Sequence, residues 1–362
     1  MRIGIVGLPN AGKSSLFTAL TGVAADAANY PFTTIEPNIA VVPVADERLD
    51  RVAGTVKASK VVPDTIAFHD IAGLVAGAHK GEGLGNRFLA NIRETDAIVH
   101  VVRTHLDPNV VHPDGRVDPL ADIETVETEL IFADLEQAQR RLERVSRAAK
   151  SGDRHAVAEA DWLARLIEAL QAGRPARTVP PPADAPDAVQ LLAPLTAKPV
   201  LYVANVDEGS EAEDGVPPAV AGRAAAVGAA SAAVSARLEA ELSELDADEA
   251  ASMRADLGLS ESGLARVVRG AFSLLQLVAF FTAGEDKPAQ SWHLRHGLSV
   301  WHAAGMIHSD IQRGFVRAEV VPWRALVDAG GYAGARERGA LRLEGRDYTV
   351  NDGDVITVKF TP

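Results

Sequence analysis

Apolar and polar positions alternate along this chain in two distinct periods, and the change between them divides it into modules. Ile3, Ile5 and Val6 open a short apolar strand, and the run Ser15-Leu16-Phe17-Thr18-Ala19-Leu20 then reads as a helix. Thr65-Ile66-Ala67-Phe68-His69 is strand-like. Asp96-Ala97-Ile98-Val99-His100-Val101-Val102 and Lys198-Pro199-Val200-Leu201-Tyr202-Val203-Ala204-Asn205 are nearly continuous apolar runs, as expected of parallel strands buried on both faces. The repeated order of strand, loop and helix predicts an α/β fold with a doubly wound parallel sheet, which takes its ligands at the carboxyl ends of the strands.

Between the last two of these strands the period lengthens. Ile131, Leu135, Ala138, Leu142, Val145 and Ala149 recur at spacings of four and three, as do Ala156, Ala160, Leu163, Ile167 and Leu170. Two heptad-like helices joined near Lys150-Ser151-Gly152-Asp153 predict an inserted antiparallel helical hairpin over 120–175. Five prolines between Pro175 and Pro186 then return the chain to the sheet. Past about residue 275 the pattern becomes strand and turn, with Phe280-Phe281-Thr282, Phe315–Val320, Asp347–Val350 and Val355–Phe360. The last two flank Asn351-Asp352-Gly353-Asp354, a hairpin signal. The expected division is 1–275, carrying the insertion, and a small α+β domain over 276–362.

The first strand runs into Gly7-Leu8-Pro9-Asn10-Ala11-Gly12-Lys13-Ser14, which fits G-x-x-x-x-G-K-[ST] at every fixed position and sits between a strand and a helix. Glycines let successive amides face phosphate oxygens. Lys13 brings a point charge to the β/γ-phosphates, Ser14 a hydroxyl to Mg²⁺, and the helix its positive end. The nucleotide-binding set is accordingly Asn10, Ala11, Gly12, Lys13, Ser14 and Ser15. Asp70, closing its strand three residues before Gly73, supplies a carboxylate to the metal, while the Gly73 amide faces the γ-phosphate. Thr33 and Thr34 lie in the proline-containing loop 29–38; Thr34 is the preferred further metal contact. The glycine-rich stretch Ala76–Asn86 reads as a second switch loop.

Composition bounds these readings. The chain has 362 residues, 47% hydrophobic and 23% charged, enough for two to three ordinary domains. No apolar run approaches a membrane span, and Met1-Arg2 leads directly into a strand, so no membrane association is expected. The absence of cysteine excludes disulfides, thiolate zinc sites and thiol catalysis, in keeping with a cytoplasmic location. A formal charge of -13 confines any nucleic-acid contact to a local basic patch. The far end of the hairpin, with Arg140, Arg141, Arg144, Arg147, Lys150 and Arg154 against Glu143 and Asp153, is the candidate for RNA contact.

G-L-P-N-A-G-K-S-S-L-F, N-Y-P-F-T-T-I-E-P-N, D-I-A-G-L-V-A-G-A-H-K-G-E-G-L-G-N, F-F-T-A-G-E-D, G-F-V-R-A-E-V and D-G-D-V-I together resemble the YchF family of Obg-like ATPases over nearly the whole chain. The resemblance implies an Obg-type G domain with an inserted hairpin and a C-terminal TGS domain, a β-grasp module associated with RNA and ribosome factors. It also bears on the base. Where a guanine site carries N-K-x-D, this chain has Asn205-Val206-Asp207-Glu208, and the family's N-x-x-E pattern goes with ATP. Glu208 sets its carboxylate on a longer arm, and adenine N1 is an acceptor that a carboxylate repels. Asn205 can donate to N7 and accept from N6 of adenine, so it is the expected base reader, helped by Val206. Ser235-Ala236-Arg237-Leu238-Glu239 reads as a further base-contacting loop.

The resulting expectation is a P-loop NTPase that hydrolyses ATP by in-line attack of water, with Lys13 stabilising charge and Ser14, Thr34 and Asp70 holding Mg²⁺. Leu74 stands where related GTPases carry a water-orienting Gln. A histidine is the expected substitute, His112 ahead of His79. Asn10 suggests a K⁺ site beside the phosphates, as the same pattern does in K⁺-dependent relatives. Partners would be ATP and the ribosome or rRNA, through the hairpin and TGS domain. The alternatives are a GTP-preferring GTPase, an RNA- or ribosome-binding factor in which hydrolysis is incidental, and, more weakly, a kinase.

Overall fold

The computed structural model describes residues 1–26, 38–71, 84–106, 115–210, 215–259 and 261–361. Five parallel strands make up most of the first sheet: β1 (Arg2–Val6), β4 (Thr65–Asp70), β5 (Ala97–Arg103), β6 (Val200–Asn205) and β7 (Ala230–Val234). With β2 (Ile39–Pro43) on one edge they lie in the order β2-β4-β1-β5-β6-β7. Every residue of β5 is buried, His100 and Arg103 included, which explains its unbroken apolar run. Register aligns the strand ends: Ile5 lies opposite Asp70, Val6 opposite His100, Arg103 opposite Asn205, and Asn205 opposite Val234. The P-loop, Asp70, Asn205 and Ser235 therefore share one edge. Helix α1 (Lys13–Asp26) leaves the loop, α2 (Glu47–Val56) and the short strand β3 (Lys60–Val62) follow β2, and α3 (Leu84–Arg93) precedes β5.

The hairpin forms as its spacing predicts. Helix α4 (Pro119–Ala149) runs for 31 residues, about 46 Å at the usual helical rise. Asp118 caps it, accepting from the Ala121 amide at 3.2 Å, and Pro119 occupies the first turn, where its missing N–H leaves nothing unpaired. Gly152, at φ 83, turns the chain, and Asp153 caps α5 (Arg154–Gln171) by accepting from His155 N at 3.0 Å. The heptad positions meet in one cluster, with Ala138, Val145, Leu163 and Leu170 at its centre and Trp162 and Leu166 added. The basic tip is less free than its sequence suggests. Arg141 turns inward to Glu159, donating at 2.6 and 3.1 Å to a carboxylate that is almost fully buried, and Arg140 pairs with Glu136 on its own helix.

Helices α6 (Ala188–Leu192), α7 (Pro218–Ala226) and α8 (Ala236–Leu242) follow. The segment read as a base-contacting loop is instead the start of α8. Ser235 is its N-cap, accepting from the Leu238 amide, because a serine before the helix-forming run Ala236-Arg237-Leu238-Glu239 satisfies a helix donor that would otherwise be unpaired.

Two compact units are distinguished. The first contains Met1–Asp26, 38–41 and Ala67–Leu274; the second contains Val42–Ile66 and Leu275–Pro362. The second sheet is built from β8 (Leu277–Thr282), β9 (Pro288–Arg295), β10 (Phe315–Pro322), β11 (Arg342–Glu344) and β12 (Asp354–Phe360). It has the order β11-β10-β12-β8-β9-β3, so β3 supplies a sixth strand, parallel to β9. Its core holds Phe280, Leu294, Val300, Val320 and Ile356. Asp64 secures the added strand: its Oδ2 accepts from the His293 amide at 2.9 Å and lies 3.0 Å from His293 Nδ1, while its own amide donates to Ser291 Oγ at 2.8 Å. The expected hairpin between Asp347–Val350 and β12 does not form. Thr349 instead bridges to Ser299, and the Val350 amide donates to Leu298 O at 3.1 Å. The Asn351–Asp354 turn is closed differently, by the Asp354 carboxylate accepting from Asn351 N and Tyr348 Oη.

Candidate nucleotide site

Glycines make the loop possible at two points. A Cβ on Gly7 would lie 2.4 Å from the carbonyl oxygen of Val101, and one on Gly12, at φ 99, would lie 2.2 Å from Asn205 Nδ2. Asn10 also takes a left-handed φ of 61. Within this wrap the Lys13 ammonium donates to Leu8 O at 2.7 Å and is almost fully buried. Burial pushes its pKa down from 10.5 to about 8, against the attraction of Asp70. Asp70 moves the other way: partial burial raises its carboxyl, and Lys13 restrains the rise. The pair therefore holds an undersolvated cation beside an undersolvated anion, each of which gains when a phosphate or a cation arrives.

Asn205 ties the base end to the loop. Its Nδ2 donates to Ala11 O at 3.0 Å, and its Oδ1 accepts from the Ala236 amide at 3.0 Å. His105 Nε2 lies 3.3 Å from the same Nδ2. Each end of the amide retains at most one further bond for a ligand. Glu208 Oε1 is 3.7 Å from Arg237 Nε, which also donates to Glu241 at 2.9 Å.

These groups surround one cavity of about 760 Å³ at the carboxyl edge of the sheet. It brings together Asn10, Gly12, Lys13, Ser14, Ser15, Asn205, Val206 and Ser235 from the expected set. Ala11 is buried and contributes its carbonyl to Asn205. Asp70 stands near Lys13 without lining the cavity. Thr34, Gly73, Leu74, His79 and His112 lie outside the described residues, as does Thr33. His105 and Leu106 are lining residues not singled out from sequence; their signal was position, just beyond the end of β5. Among the described residues no cluster of three or more His, Cys, Asp or Glu could hold a metal by itself, and no helix is long and apolar enough to cross a membrane.

A family profile described as 50S ribosome-binding GTPase matches residues 2–140, and the C-terminal YchF GTPase profile, described as a protein of unknown function, matches residues 277–361. The ribosome-binding ATPase YchF of Bacillus subtilis is 47% identical over 360 residues, covering 99% of this chain and 98% of its own. The chain belongs to the YchF family. The YchF of Escherichia coli O157:H7 is 45% identical over 359 residues, with 99% of both chains covered. The solved YchF GTPase of Schizosaccharomyces pombe superposes with a TM-score of 0.86 at 32% identity, covering 99% of this chain and 97% of that one. A GTP-binding protein of Pyrococcus horikoshii, at 19% identity and a TM-score of 0.64 over all of both chains, shares the fold.

Proposed function

We propose that this YchF protein is an ATP-binding and ATP-hydrolysing switch that associates with the ribosome. The single observation that carries the reading is that one cavity joins the P-loop with Lys13 at one end to Asn205–Glu208 at the other. YchF relatives bear the name ribosome-binding ATPase, which supports both halves of the proposal.

Triphosphate would take the place of Leu8 O at the Lys13 ammonium, and the loop amides would share its charge. Ser14 and Asp70 offer a hydroxyl and a carboxylate, hard oxygen donors that suit Mg²⁺, with Thr34 as the further ligand. Two or three protein oxygens are too few for a cage, in keeping with a metal that keeps waters and nucleotide oxygens. When bound, Mg²⁺ neutralises developing charge on the phosphates. The Gly73 amide would face the γ-phosphate, and His112 would orient the attacking water in place of Leu74. Asn10, on the cavity lip, is the candidate for a K⁺ contact.

At the base end, the carboxylate that a guanine reader would need faces Arg237, so guanine would compete with a guanidinium for Glu208. Adenine needs only the spare acceptor capacity of Asn205 Oδ1 and the Nδ2 hydrogen that otherwise faces His105. Calorimetric titration with ATP and GTP tests this: tighter ATP binding is expected, and tighter GTP binding would overturn it. Ribosome association would use the hairpin tip and the C-terminal unit. Co-sedimentation with ribosomes under ATP, ADP and a non-hydrolysable analogue is expected to differ among the three states, and identical pelleting would refute a switch.

A further inference from the structure

A second cavity, of about 180 Å³, opens at the root of the helical hairpin, and it shares no lining residue with the nucleotide site. Its walls are apolar where α4 and the sheet contribute Ile98, Leu130, Ile131 and Val200, with Val227 from the end of α7. Three arginines line it, Arg174 and Arg177 from the segment that leaves α5 and Arg223 from α7, against one carboxylate, Glu127.

That carboxylate is already committed. Glu127 accepts from the Tyr202 hydroxyl and pairs with Arg223 Nη2. Some of the basic donors are not. Among the described residues the buried Arg223 Nε has no hydrogen-bond partner, and the guanidinium of Arg174, at an exposed position, is bonded to none of them. Arg177 uses Nη1 on Thr196 O at 3.0 Å. His100, fully buried with its ring 5.6 Å from that of Tyr202, adds no positive charge, because burial pushes its pKa from 6.5 to about 4. The lining thus carries three cations and one anion, a buried donor lacks an acceptor among the described residues, and the cavity as a whole is slightly larger than the roughly 150 Å³ that holds a benzene ring. Such a site is completed by one acid group on a compact apolar body.

We propose that the cavity at the hairpin root binds a small amphipathic monocarboxylate, with its single ring or short branched chain against Leu130, Ile131 and Val227 and its carboxylate on Arg174 and Arg223. Val6, immediately before Gly7, also lines the cavity, so the ligand would touch the strand that carries the P-loop.

Phenylacetate is the test ligand and benzyl alcohol its uncharged counterpart, titrated into the full chain by calorimetry with ADP present to keep the nucleotide site filled. Phenylacetate is expected to bind saturably and benzyl alcohol about tenfold or more weakly, the difference a charge-assisted bond provides. Arg174→Gln, at an exposed position, is expected to weaken phenylacetate about tenfold and leave benzyl alcohol unchanged. Val227→Phe should abolish both, with the thermal unfolding midpoint retained; if that variant does not fold, the Arg174→Gln comparison decides alone. No saturable binding of phenylacetate overturns the proposal, as do equal affinities for the two probes or phenylacetate binding indifferent to Arg174→Gln.

Discussion

The side chain of Asn205 holds the carbonyl of Ala11 at 3.0 Å, so the residue expected to read the base also fastens the phosphate loop. Its other end accepts from Ala236, joining three segments that are distant in sequence. Asn205→Ala should therefore lower stability as well as nucleotide affinity, since each buried group left unsatisfied costs roughly 1–3 kcal/mol. Denaturant unfolding of the nucleotide-free chain separates the two effects. An unchanged midpoint would mean that the tether contributes nothing without ligand.

Gly12→Ala tests the same contact from the opposite side. The added methyl would lie 2.2 Å from Asn205 Nδ2 at a φ of 99, and strain of this kind costs on the order of 1–3 kcal/mol. Loss of ATP binding, measured by calorimetry, should accompany the lower midpoint. Normal affinity would show that the loop relaxes freely.

Lys13 gives a pH signature. Its folded-state pKa of about 8 lies below the unfolded 10.5, so its charge destabilises the nucleotide-free fold below pH 8, and that burden is relieved as pH rises from about 8 to 10.5. The shift amounts to about 3 kcal/mol at order-of-magnitude precision. Lys13→Met should consequently raise the unfolding midpoint at pH 7 while removing ATP binding. In the native chain, ATP binding near pH 8.5 should take up a proton, read as a dependence of calorimetric heat on the ionisation enthalpy of the buffer. Heats independent of buffer would contradict this.

Asp64 tests the anchoring of β3. Burial would raise its carboxyl, but the hydrogen bond and charge of His293 and the amides of Thr65 and His293 outweigh it, leaving the pKa below 3.8. Its contribution is therefore present above pH 3.8 and is lost as pH falls through the lower folded value. Asp64→Ala should destabilise the second unit by roughly 2–3 kcal/mol at neutral pH. Hydrogen exchange of the β9 amides should report it, and unchanged protection would remove the clamp from consideration.

His112→Ala should reduce ATP turnover about a hundredfold with little change in affinity, in the range of one lost proton-transfer or water-orienting group. His79→Ala is the matched control. Turnover unchanged in the His112 variant would reassign the water.

The parts legible in the sequence were those with local signals. The hairpin repeats every three and four residues, and all of its heptad positions reach the same cluster. The P-loop and Asn205 stand at strand ends, where a parallel sheet must gather them. What escaped depends on distant partners. Nothing near Lys60–Val62 announces that it pairs with Pro288–Gln290, and no local rule turns Arg141 toward Glu159 rather than toward solvent. Thr349 has the composition of a hairpin strand, yet Ser299 offers it a bridge and β12 does not. Ser235 fits a loop and a helix cap equally well until the Leu238 amide is seen pointing at it.

The strand anchored by Asp64 also sets a schedule for synthesis. Asp64 is made 227 residues before Ser291, which receives its amide, so β3 leaves the ribosome long before the sheet it completes. At about 5–20 residues per second it waits more than ten seconds as an unpaired edge, while the strands around it assemble a different sheet. Lys60 at its start, exposed and charged, is the kind of residue that keeps a waiting edge from finding the wrong partner.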